Sequence, residues 1–150
     1  MLLVGAPEQQ KADPRNIVDG QFSAPFVLSV ALSTGKMRWD SYELLHDAQI
    51  RALLPKIRCE FDPEIEAEFP ANMSGKLTVR ARGAEFVKKV VVPRGEPKNF
   101  LTSAELSAKF AALSEPRLGP ARMAQLAEAV LEFDRLERAS QLFDLGSAPP

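Results

Sequence analysis

The densest apolar block in the chain lies in its first quarter. Phe26, Val27, Leu28, Val30, Ala31 and Leu32 cover nearly all sides of a helix, so the helix they predict is buried rather than half-exposed. Ser23 is placed to cap its first turn, Pro25 is tolerated inside that turn, and Gly35 stops it. Asp40 or Ser41 caps a short helix carrying Tyr42, Leu44 and Leu45. A second follows from Asp47, with Ile50, Leu53 and Leu54 at helical spacing, and Pro55 ends it. The period then changes to two. Ile57, Cys59 and Phe61 alternate with Lys56, Arg58, Glu60 and Asp62, which predicts a strand with one wet face, closed by Pro63. Leu77, Val79 and Ala81 alternate against Lys76, Thr78, Arg80 and Arg82. A second β-rich run covers 85–92, and Arg82-Gly83 supplies the hairpin turn between them.

Pro93, Gly95 and Pro97 make the next segment a loop, which leads into Thr102-Ser103-Ala104-Glu105, a capping-box sequence. Leu106, Phe110 and Leu113 form the stripe of the helix that follows, and Pro116 interrupts it. Pro120 opens another helix, with Met123, Leu126, Ala127, Val130 and Leu131 as its apolar positions, and a last short helix is expected over 134–143. Helices, then strands, then helices again predict an α+β fold: a small, mostly antiparallel sheet packed with helices and a helical carboxyl-terminal segment. The expected layout is an irregular lead-in over 1–20, where Pro7, Pro14 and the polar stretch 8–11 break any period, one domain over 21–145, and a frayed tail over 146–150.

Composition narrows the class. At 150 residues, 45% hydrophobic and 26% charged, the chain has the make-up of one globular domain. Its 19 basic and 20 acidic residues leave a formal net charge of −1, which gives no field for collecting nucleic acid or an anionic membrane. No apolar run approaches the roughly 20 residues a bilayer requires, and the apolar opening 1–4 is too short for a signal segment. Cys59 is the only cysteine, which excludes an intrachain disulfide and points to a reducing, cytoplasmic setting.

Little in the chain carries chemistry by itself. With His46 as the sole histidine, metal sites built from several imidazoles are excluded by counting, and no G-x-S-x-G elbow offers it a serine nucleophile. His46 therefore reads as structural or solvated. Cys59, on the apolar face of its expected strand, reads as a small buried hydrophobe. Neither Gly35-Lys36 nor Gly75-Lys76 has the flanking residues of a phosphate loop. The acidic run Glu60, Asp62, Glu64, Glu66 and Glu68 lacks the glycine and spacing of a calcium loop, and reads as a solvated edge. The basic hairpin is a weak nucleic-acid candidate, since Phe86 is the only ring there to stack on a base.

Two stretches resemble the MmgE/PrpD family, a group that includes 2-methylcitrate dehydratase. The first runs Pro14-Arg15-Asn16-Ile17-Val18-Asp19-Gly20-Gln21-Phe22-Ser23-Ala24-Pro25-Phe26. The second runs Pro93-Arg94-Gly95-Glu96-Pro97-Lys98-Asn99 and continues through Leu101-Thr102, Glu105-Leu106 and Lys109-Phe110. Their order and separation match, and Asp62-Pro63-Glu64 and the basic hairpin between them are similar too. The resemblance covers about 14–145 and implies the family's carboxyl-terminal α+β lid, with 21–100 as the lid-like part and 101–145 as terminal helices returning to a separate helical domain.

The resemblance also implies a chemistry: metal-free and cofactor-free proton abstraction next to a carboxylate, followed by loss of water or carbon dioxide or by reprotonation. The family's catalytic Asp, His and Lys lie upstream of the matched region. No catalytic or metal-binding residue is therefore expected in this chain, which looks like a domain of a dehydratase, decarboxylase or epimerase of small polycarboxylates, inactive alone. Candidate substrate-binding residues are Gln21, Ser23, Phe26 and Arg94. Phe26 stands where many members have tyrosine, so no hydroxyl is offered there. Ser23 has an alternative as a helix cap, and Arg94 as a solvated loop arginine. The implied partners are a second copy of the chain, as family members are commonly dimers, or the missing helical domain. The rival reading is a stand-alone binding or self-association module that keeps the lid fold.

Overall fold

A computed structural model describes residues 2–147, and they divide into two compact units that part between Ala71 and Asn72. The first unit is helical. It contains α1 (Leu2–Gly5), α2 (Glu8–Ala12), α3 (Ile17–Gln21), α4 (Ala24–Thr34), a 3-10 segment Trp39–His46, α5 (Ala48–Leu53) and α6 (Pro63–Glu66). α4 forms as its residues dictate: Ser23 accepts a hydrogen bond from the backbone N–H of Phe26, Pro25 lies in the first turn, and Gly35 closes the helix in the left-handed region at φ 74°. Asp47 caps α5 in the same manner, accepting from Gln49 and Ile50 at 2.9 and 3.0 Å.

Around α4 sits the hydrophobic core of the described residues, the buried side chains of Phe26, Val30, Leu45, Ile50 and Leu54. The Phe26 ring stacks on Tyr42 at 6.0 Å, and Trp39 meets Tyr42 edge-on at 5.8 Å. Gly20 fits because it is a glycine: a Cβ there would come within 3.3 Å of Leu45, Phe26 and Tyr42.

Two expectations are corrected here. The span read as an irregular lead-in over 1–20 holds α1, α2 and most of α3, each too short for a sequence period to register. They are pinned by tertiary bonds: Ser23 donates to the carbonyl of Lys11, and Arg51 donates to Pro14 at 3.0 Å and pairs with Asp13. The alternating segment 57–61 is not a strand. It has no hydrogen-bonded ladder partner among the described residues, and alternation without a partner leaves extended coil. The two compact units part after Ala71, inside the 21–100 span.

The second unit supplies the sheet and the terminal helices. β1 (Gly75–Ala81) and β2 (Ala84–Val90) pair antiparallel, with Ala81 opposite Ala84. Arg82 and Gly83 both have positive φ, 54° and 74°, the geometry of a two-residue turn whose twist suits a hairpin. Thr102 and Glu105 cap α7 (Ser103–Leu118) reciprocally. Pro116 does not interrupt this helix: it falls in the final turn, where one backbone donor is lost, and Gly119 ends the run. α8 (Pro120–Leu131) packs against α7 and against α9 (Ser140–Gly146), whose last carbonyls take the guanidinium of Arg122. The helix expected over 134–143 is instead a 3-10 turn, Phe133–Arg135, then extended backbone at Leu136, then α9. The expected frayed tail, 146–150, falls outside the described residues from 148 onward, as does Met1. Before that point Ser147 still bonds back to Phe143.

The α+β class stands, with helices on either side of an antiparallel pair in sequence. No described residue of the second unit is fully buried. Leu131 at 81% and Phe143 at 77% are the most open of its large apolar side chains. No described helix is long and apolar enough to cross a membrane.

Candidate functional site

Of the four candidate residues, three come from the first unit and one from the second. Gln21 ends α3 with its side chain exposed. Ser23 is fully buried, and its hydroxyl is spent twice, accepting from Phe26 N at 3.1 Å and donating to the Lys11 carbonyl. Phe26 is equally buried, in the core described above. The serine and the ring thus act as a helix cap and a packing centre, and Gln21 is the one of the three that faces solvent.

Arg94 belongs to the loop ahead of α7. Its guanidinium donates to Asn99 Oδ1 at 2.8 Å and forms an ion pair with Glu105. Asn99 in turn donates to the Val92 carbonyl at 3.0 Å and accepts from Gly95 N at 2.9 Å, so the arginine fastens the loop to the start of the helix. Glu105 accepts from both the backbone N–H and the hydroxyl of Thr102 at 2.7 Å. These bonds, with the Arg94 charge, hold its carboxyl down from 4.5 to about 2. Because the folded pKa is depressed, the linked stability is present above the ordinary value and is lost as pH falls from about 4.5 toward 2. Acid titration followed by carboxyl NMR is expected to show Glu105 protonating near the bottom of that window, and Glu105→Gln to flatten the second unit's stability across it.

The first unit holds a feature that sequence reasoning missed. A surface groove of about 590 Å3 lies between the start of α3 and the 3-10 segment Trp39–His46. Arg15, Glu43 and His46 stand on its walls, and Ile17, Val18 and Tyr42 line it, with the buried Leu45 beneath. Arg15 and Asn16 were inside the first quoted stretch, but no sequence pattern tied them to Tyr42 or His46. His46 is exposed, at the junction before α5.

The other reactive group, Cys59, is half-buried, and burial followed by the charge of Glu8 pushes its thiol pKa up, which favours the unreactive thiol. Asp13 is shifted the opposite way: hydrogen bonds from Arg51 and Arg15 hold its carboxyl below its usual range. Among the described residues no group of three or more His, Cys, Asp or Glu side chains is placed to hold a metal ion.

Compared with known proteins, the chain matches the family described as the MmgE/PrpD C-terminal domain over residues 3–133. No curated protein matches it. The match takes in both stretches that suggested the resemblance, together with the helical core and the hairpin between them. The chain belongs to the MmgE/PrpD family, as its C-terminal domain.

Proposed function

We propose that this chain serves a MmgE/PrpD-type lyase or isomerase, one that dehydrates, decarboxylates or epimerises a small polycarboxylate such as 2-methylcitrate. By itself it turns nothing over. The observation that carries the reading is the family match over 3–133 together with the fate of the candidate residues. Ser23 and Phe26 are consumed by the fold, and Arg94 is held by Glu105 and Asn99. None of the three offers a proton-transfer group of tuned pKa, which abstraction next to a carboxylate needs. That group then belongs to a helical domain working with this one, and the enzyme operates in the cytoplasm, where a lone thiol such as Cys59 stays reduced. Gln21 in the first unit and, separately, the exposed part of the Arg94 guanidinium in the second are the groups left that could meet a carboxylate.

The purified chain, assayed with 2-methylcitrate and other small tricarboxylates, is expected to show no turnover, and a separately expressed helical domain of the family to restore it. Conversion by the chain alone would defeat the reading, and so would an inert mixture.

One observation favours a second reading, a module for self-association. Apolar side chains of α7 and α8 such as Leu106, Leu113, Val130 and Leu131 are half or more exposed, surface that a second copy could cover. A concentration-dependent dimer in sedimentation, with no effect of any helical domain, would support it.

A further inference from the structure

We infer that the groove between α3 and the 3-10 segment is a binding site for a small monocarboxylate with an apolar body, its carboxylate held by Arg15. This is separate from the family reading above and does not depend on it. The volume, about 590 Å3, is in the range of small-molecule sites, roughly 300–1,000 Å3. Its lining is mostly apolar: Ile17 and Val18 are 49% and 62% exposed, and the Tyr42 ring adds to them above Leu45. Two exposed β-branched side chains beside a ring give a short alkyl or aryl group surface to cover.

The charges select the head group. Arg15 is the groove's one fixed cation, 81% exposed, and its bonds to Asp13 Oδ2 are long, both 3.3 Å. The other oxygen of Asp13 is committed to Arg51, which also donates to the Pro14 carbonyl. A planar guanidinium with five N–H donors, only loosely engaged, has donors left for one more carboxylate. Asn16 does not compete, because its side chain is spent on Asp19, capping α3. Glu43 on the wall sets the upper limit. A ligand carrying a second carboxylate along the groove would bring it toward a fixed negative charge, so one anionic head is favoured over two or three.

His46 and Tyr42 are the chain's only histidine and tyrosine, so each gives an unambiguous NMR signal from the groove itself. The whole chain is titrated with hexanoate and with 3-phenylpropanoate, and with tricarballylate for contrast. Saturable shifts of both rings are expected with either monocarboxylate, at a Kd on the order of 1 mM. Arg15→Gln is expected to weaken binding about tenfold or more, the worth of one charge-assisted bond. Arg58→Gln, an exposed arginine outside the groove, leaves it unchanged. The inference is overturned by the absence of saturable shifts with both monocarboxylates, by unchanged affinity in Arg15→Gln, or by tricarballylate binding as tightly as they do.

Discussion

Phe26→Ala is expected to lower the unfolding free energy of the first unit by about 3–5 kcal/mol. The ring is wholly buried, stacked on Tyr42, and close enough to Gly20 that a single added methyl there would crowd it. Removing it leaves a void that the short helices around α4 cannot close, since their positions are fixed by the Ser23–Lys11 and Arg51–Pro14 bonds. Against a typical total of about 5–15 kcal/mol the loss leaves this unit barely folded. Urea unfolding monitored through Trp39 and Tyr42, the only tryptophan and tyrosine, reads this unit selectively. A loss below about 1 kcal/mol would mean that the ring is not the packing centre.

The second large effect is a contrast between two leucines. Leu54→Ala, at a side chain 2% exposed in the same core, is expected to cost about 2–5 kcal/mol. Leu131→Ala, at one 81% exposed on α8, is expected to change stability by no more than about 0.5 kcal/mol. Calorimetry on both variants at several protein concentrations checks the pair. A cost at Leu131 that grows with concentration would show that another surface covers α8, and would favour the self-association reading.

What could be read from the sequence was whatever local chemistry decides. Ser23, Pro25 and Gly35 bound α4 because a cap, a first-turn proline and a left-handed glycine act within one turn of themselves. Thr102 with Glu105, and Arg82 with Gly83, succeed for the same reason. The alternation over 57–61 misled because period two records which side chains share a face, whereas a strand exists only when a second strand supplies its ladder. The first helices stayed hidden because each spans one turn or little more, and their support comes from Arg51 and Ser23. Family membership was visible in two stretches, yet their most distinctive residues, Ser23 and Phe26, turned out to be buried. Burial is a tertiary quantity that no motif displays. The groove was illegible for a related reason: Arg15 and His46 approach one another only through the packing of α3 against the 3-10 segment.

The hairpin carries a consequence for the protein's behaviour at high concentration. Among the described residues the sheet has two strands, so β1 and β2 each have one edge that no described strand pairs, and Phe86, Val87 and Val90 stand open beside it. Such an edge templates stacking of like chains into filaments, and positive charge along it is the usual guard. Five Lys and Arg residues stand against the single Glu85 over 75–90, with Lys76 opposite Lys89 and Arg80 paired to Glu85, so approaching copies meet like net charge before their edges can zip. Added salt shortens the reach of that repulsion to about 3 Å at 1 M. Storage in concentrated salt, ordinarily protective for a folded protein, would here remove the barrier that keeps neighbouring hairpins apart.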